Sequence, residues 1–167
     1  MRRLLLAAAL PLLTAAACSG RRGPGTSPFP TGGHFRAERV ARRTTVLIDA
    51  PGWATSCPAE SLIVVIALGG AWNGGIAVHG GAPGGARDYE VRPSLGEVGT
   101  ATAGFRVPAT GTARLGVGGT IQLAIGDAAS GRFDIVLPDS AGEHVVIRGT
   151  LTGIPVTVLS SATCNPP

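Results

Sequence analysis

Polar and apolar residues alternate most cleanly between Thr120 and Ile154. Ile121, Leu123 and Ile125 alternate with Thr120, Gln122 and Ala124, the period of two that places one strand face against a core. Asp127 to Ser130 reads as a turn. Phe133, Ile135 and Leu137 then form an inward set against Arg132, Asp134 and Val136, and Pro138 ends the run by removing a ladder donor. A third run sends Val145, Ile147, Gly149 and Leu151 inward and His144, Val146, Arg148 and Thr150 outward. The three runs predict an antiparallel meander, with Asp134 placed between Arg132 and Arg148 for cross-strand ion pairing on its outer face.

Shorter runs flank this meander. Thr44–Asp49 predicts a strand stopped by Ala50-Pro51-Gly52, with Trp53 in the loop that leads to Cys57. Ser61–Leu68 is apolar on both faces and too short to cross a membrane, as in a central strand or one crossing from one sheet to another. Within the glycine-rich stretch 69–85, Gly75–His79 keeps enough alternation for one strand. Arg87–Arg92 predicts an exposed or edge strand. Glu97–Val107 predicts a bulged strand or short hairpin around Gly99 and Gly104, and Thr112–Val117 precedes a Gly118-Gly119 turn. Pro155 limits the last strand to an edge or to a start at Val156. No run of ten or more residues beyond the N-terminal leader has helical periodicity. The predicted fold is all-β: an antiparallel β-sandwich or flattened β-barrel of about eight to ten short strands.

The first residues are of another kind. Met-Arg-Arg, an apolar run from Leu4 to Ala17 and small residues before Cys18 are the parts of a secretory signal. Ala15-Ala16-Ala17-Cys18 resembles the lipobox of bacterial lipoprotein precursors, with Ala15 where that family usually carries Leu. The resemblance covers about the first twenty residues. It implies cleavage before Cys18, acylation of that cysteine and anchoring in the cell envelope. By the same resemblance, Ser19 after the cysteine implies the outer membrane if the envelope has two membranes. Ordinary signal-peptide cleavage, giving a secreted chain, fits the same small residues.

Cys18, Cys57 and Cys164 are the three cysteines. With Cys18 carrying lipid, an oxidising compartment leaves Cys57 and Cys164 to pair. The expected organisation is therefore a signal peptide over 1–17, a Gly/Pro/Arg-rich flexible tether over 18–43 and a single β-domain over 44–167. Phe29 and Phe35 are exceptions to the polarity of the tether and are candidates to touch lipid headgroups. Of 14 basic residues and 10 acidic ones, six Arg and nine Asp or Glu lie from Thr44 onward. The positive charge thus sits toward the leader and tether, where an anionic membrane surface is its natural partner. A nucleic-acid partner is excluded, because no basic face with interleaved aromatics is present.

Little in the sequence points to catalysis. The three histidines, His34, His79 and His144, belong to no HExxH or other fixed-spacing pair, and GxSxG and phosphate-loop motifs are missing. No cysteine or histidine spacing suggests a metal site, and no cofactor is expected. Asp88 and Glu90 share a strand face, as paired carboxylates of a hydrolase would, but exposed edges commonly carry such charges. Trp72, Asn73 and His79 form the candidate binding surface, with no catalytic residue assigned. The expected function is a lipid-anchored, non-catalytic envelope domain that binds an unidentified protein or glycan, or has a structural role. A carrier of a small apolar ligand inside a barrel, with Gly149 and Ala77 as small inward residues, is the alternative. A hydrolase whose site shows no motif comes third.

Overall fold

The computed structural model describes residues 29–40, 43–57, 62–69, 72–80, 84–94, 96–107, 110–138 and 143–160. Ten strands account for most of them: β1 (Gly32–Val40), β2 (Thr45–Cys57), β3 (Leu62–Gly69), β4 (Trp72–His79), β5 (Gly84–Val91), β6 (Thr100–Val107), β7 (Thr112–Leu115), β8 (Gly118–Ile125), β9 (Ala128–Pro138) and β10 (His144–Val158). No helix occurs among the described residues. The strands form one sheet in the order β4-β3-β2-β1-β10-β9-β8-β5-β6-β7, and β4 also pairs with β6. The sheet is therefore curled round on itself, within the predicted all-β class of sandwich or flattened barrel. Its flanks meet at β6, which pairs with β4 over six residues but with β5 only at Glu90–Thr100 and Val91–Ala101.

The predicted meander is β8, β9 and β10. Ile121, Leu123, Phe133, Ile135, Leu137, Ile147 and Leu151 are all buried on the inner face, as the alternation requires. Phe133 stands at the middle, its ring centroid 5.7 Å from that of Phe35 and 6.3 Å from that of Phe105. Tilted pairs at these separations add about 0.5–1.5 kcal/mol each beyond their burial. The turn after β8 is tighter than expected. Only Gly126 and Asp127 lie between the strands, and Gly126 N–H donates to the Ala128 carbonyl at 3.1 Å.

Several sequence expectations need correction. Residues 32–40, assigned to the tether, are β1, held between β10 and β2. Phe35 is fully buried there and so does not reach a lipid surface, and Arg36 and Arg39 belong to the sheet. Gly118-Gly119 lies within β8 and Trp53 within β2, where it is buried. On β6 the inward set is Ala101, Ala103 and Phe105, whereas Val98 is exposed in the preceding turn.

Both prolines expected to interrupt strands lie inside them. Pro51 has no register partner: it falls at the register shift between the Phe35–Ala50 and Gly32–Gly52 pairs of β1 and β2, and β3 joins the other side of β2 only from Gly52 onward. β10 changes neighbour at Pro155, from β1 to β2. Val156 N–H donates to Asp127 on the β9 side, so the Pro155 nitrogen points to the opposite side by strand alternation. In both places a nitrogen without hydrogen falls where the ladder is already broken, and no bond is lost. A bulge precedes Pro155. Gly153, at φ 62°, donates its N–H to Ser130 Oγ at 2.8 Å. Beyond Gly32, where β1 begins, β2 and β10 meet directly as a short parallel pair.

The predicted antiparallel sheet is thus mixed, with parallel pairing at β2–β10 and β5–β6. Apolar side chains face inward, while charged side chains lie on the outer faces of β1, β5, β9 and β10 and the polar Thr120 and Gln122 on that of β8. On these strands the arrangement is the reverse of a lipid-facing apolar band.

Candidate functional site

Register alone aligns the polar side chains of the outer face into two transverse rows. The first crosses six strands as Asp49, Arg36, Thr150, Arg132, Gln122 and Asp88. The second crosses five as Glu38, Arg148, Asp134, Thr120 and Glu90. Neighbouring strands are ~4.8 Å apart, so each side chain can reach the next. Arg36 donates to Glu38 Oε1 at 2.6 Å and to Asp49 Oδ2 at 3.1 Å. Arg148 Nε donates to Asp134 Oδ2 at 2.8 Å, and Gln122 Nε2 donates to Asp88 Oδ1 at 3.0 Å. His34 Nε2 lies 3.0 Å from Asp49 Oδ1 at one end, and at the other Arg92 pairs with Glu90 at 2.8 Å.

Between the rows runs an open cleft of about 490 Å³. Its walls are the long side chains of Arg36, Arg132 and Arg148, and its floor is the short Thr120 and Thr150 with the backbone of Gly149 and Phe133. Exposed pairs such as Arg148–Asp134 contribute only ~0–1 kcal/mol to stability. Their larger effect is geometric, since each partner fixes where a charged group points. The hydrogen bond to Glu38, and then the Glu38 charge, raise the pKa of Arg36 further above its ordinary range.

Arg132 differs from its neighbours. It was expected to share Asp134 with Arg148, but Asp134 lies two residues along the same strand and is taken by Arg148 across the ladder. Instead Arg132 stands between Thr150 and Gln122, exposed, without an ion pair among the described residues.

No protein-family model, curated protein or solved structure matches this chain.

The residues singled out from the sequence are not brought together. Trp72 and His79 are the two ends of β4, ~23 Å apart at strand rise. Trp72 packs against the core, whereas Asn73, opposite Arg106, and His79 lie on the other face of the strand. Ala77, expected inward, also lies on that outer face, between buried Ile76 and Val78. Neither His79 nor His144 lines the cleft. Asp88 does line it, but Glu90 is engaged by Arg92. Cys57 ends β2 in a buried position, while Cys18 and Cys164 lie outside the described residues.

No group of three or more His, Cys, Asp or Glu among the described residues is placed to hold a metal ion. Phe35, Phe105 and Phe133 occupy the middle of the inner face, where a carried ligand would have to sit. The cleft residues escaped sequence reasoning because five strands supply them. The one available signal was the outward alternation of Arg132, Asp134 and Arg148.

Proposed function

We propose that this chain is a lipid-anchored envelope protein, acylated at Cys18, whose β-domain is a non-catalytic binding module that works through the outer-face cleft. The observation that carries the binding half is the cleft itself: donors and acceptors from five strands are held at fixed spacing along an open floor. Such a surface suits a hydroxyl-rich, extended partner, a glycan of the envelope rather than an apolar ligand. The backbone of this face is already paired in ladders, so a peptide gains nothing there by strand addition.

The anchoring half rests on the leader and Cys18. Thirteen residues, 19–31, separate Cys18 from β1 and reach at most ~45 Å when fully extended. The cleft would therefore meet its partner close to the membrane. A Cys57–Cys164 bridge belongs to the same proposal. Val158 pairs with Ser56, and Leu159 N–H donates to the Ser56 carbonyl at 2.8 Å, so the chain five residues before Cys164 already runs beside Cys57.

Thr150→Trp fills the cleft from an exposed position. Cosedimentation of the Cys18→Ser chain with insoluble envelope polysaccharide is expected to weaken at least ~tenfold in this variant. Unchanged retention contradicts the cleft as the binding surface. In cells, Cys18→Ser is expected to move the protein from the membrane to the soluble fraction. An intact mass showing an unmodified Cys18 N-terminus contradicts the anchor.

A further inference from the structure

We infer that the cleft recognises an acidic oligosaccharide, with Arg132 receiving a carboxylate of the ligand. This rests on the binding role proposed for the cleft and names the class of partner. Three observations lead to it.

The first is the distribution of charge. Arg36 is held by Glu38 and Asp49, and Arg148 by Asp134. Asp88, the carboxylate nearest Arg132 along its row, already accepts from Gln122. Arg132 is left without a carboxylate partner among the described residues, whereas the other two arginines of the cleft, Arg36 and Arg148, are both engaged by carboxylates. A guanidinium presents two parallel N–H donors that fit one carboxylate in bidentate fashion.

The second is what flanks it. Thr150 and Gln122 are its register neighbours on the two adjoining strands. A hydroxyl and an amide can both donate and accept, the property that sugar hydroxyls require.

The third is the lack of a stacking platform. Phe133 is the only aromatic residue lining the cleft, and it is 4% exposed. A neutral sugar held by stacking has no exposed ring to use, so the anchoring contact has to come from charge and hydrogen bonds. The cleft is open along its length, which allows a chain to lie across the rows with one acidic residue at Arg132.

Titration calorimetry on the lipid-free Cys18→Ser chain tests this with three probes: oligogalacturonate, its neutral methyl ester and inorganic phosphate. The acid is expected to bind at least ~tenfold more tightly than the ester, with affinity falling as salt is added. Phosphate is expected to compete weakly, since it reaches Arg132 without the flanking sugar contacts. Arg132→Gln is expected to melt like the parent and to bind acid and ester equally. Arg132→Lys keeps the charge and is expected to retain part of the preference, which a purely structural role for Arg132 would not produce. Equal binding of acid and ester by the parent overturns the inference but leaves the cleft as a binding surface. Phosphate competing as well as the oligosaccharide overturns the glycan assignment. If neither saccharide binds and Thr150→Trp leaves envelope retention unchanged, both proposals fall.

Discussion

Gly149→Ala is expected to destabilise the protein by about 3 kcal/mol or more, the upper range for overpacking. Gly149 is paired with Phe133 across β9 and β10, and a Cβ at this position would collide with the Phe133 ring and with the Arg36 carbonyl oxygen of β1. The ring could turn aside only by pushing into Phe35 and Phe105. The carbonyl cannot move without breaking the β1 ladder. One methyl group would therefore strain three strands at the point where the core and the cleft floor share a backbone. Denaturant unfolding measures the loss. Phe133→Leu in the same chain should restore only part of it, because the clash with the β1 backbone remains. A melt within ~0.5 kcal/mol of the parent would mean that the β1–β10–β9 packing is not as described.

Tyr89→Phe is expected to act in the opposite direction, stabilising the chain by up to ~1–3 kcal/mol. Tyr89 is 2% exposed on the inner face of β5, and its hydroxyl has no hydrogen-bond partner among the described residues. An unpaired buried donor costs free energy that phenylalanine does not. Burial also raises the Tyr89 pKa, an effect only partly offset by Arg87. Below pH ~10, the ordinary value, folded and unfolded chains both keep the phenolic proton and the group adds no pH dependence. Above it the unfolded chain ionises first and binds fewer protons, so stability falls as pH rises until the folded phenol ionises too. Tyr89 is the only tyrosine, so tyrosinate absorbance reports this group alone. The absorbance should rise later than for a free phenol, and Tyr89→Phe should remove this part of the alkaline loss of stability. Titration at the free value would show that the ring is solvated.

The elements that could be read from the sequence are those in which alternation is carried by large residues. Ile121, Leu123 and Ile125, then Phe133, Ile135 and Leu137, define their strands and inner faces without help from context. β1 was hidden because Phe35 is its only large inward residue, and Ala37 and Arg36 look like tether composition. β6 was blurred for the same reason, Phe105 being the one large residue beside Ala101 and Ala103 on its inner face. Pro51 and Pro155 misled because their meaning depends on the neighbouring strand, whose register shifts at Pro51 and whose identity changes at Pro155. The cleft required more than strand identity. Gln122 and Asp88 are 34 residues apart and meet only because β5 is placed beside β8. No local pattern specifies that pairing, so Arg132 reads in the sequence as one charge among several.

The central claim is that ligand is held on the outer face of β1, β10, β9, β8 and β5, with the inner face kept as packed core. Chemical-shift mapping of the lipid-free chain during titration with an acidic oligosaccharide tests it most directly. The expected result is a set of amide shifts clustered at Thr120, Gln122, Arg132, Arg148 and Thr150, with the methyl groups of Ile76, Ile121, Ile135 and Leu151 unmoved. Shifts confined to those inner methyl groups, with the cleft amides silent, would contradict it and place the ligand inside the sheet.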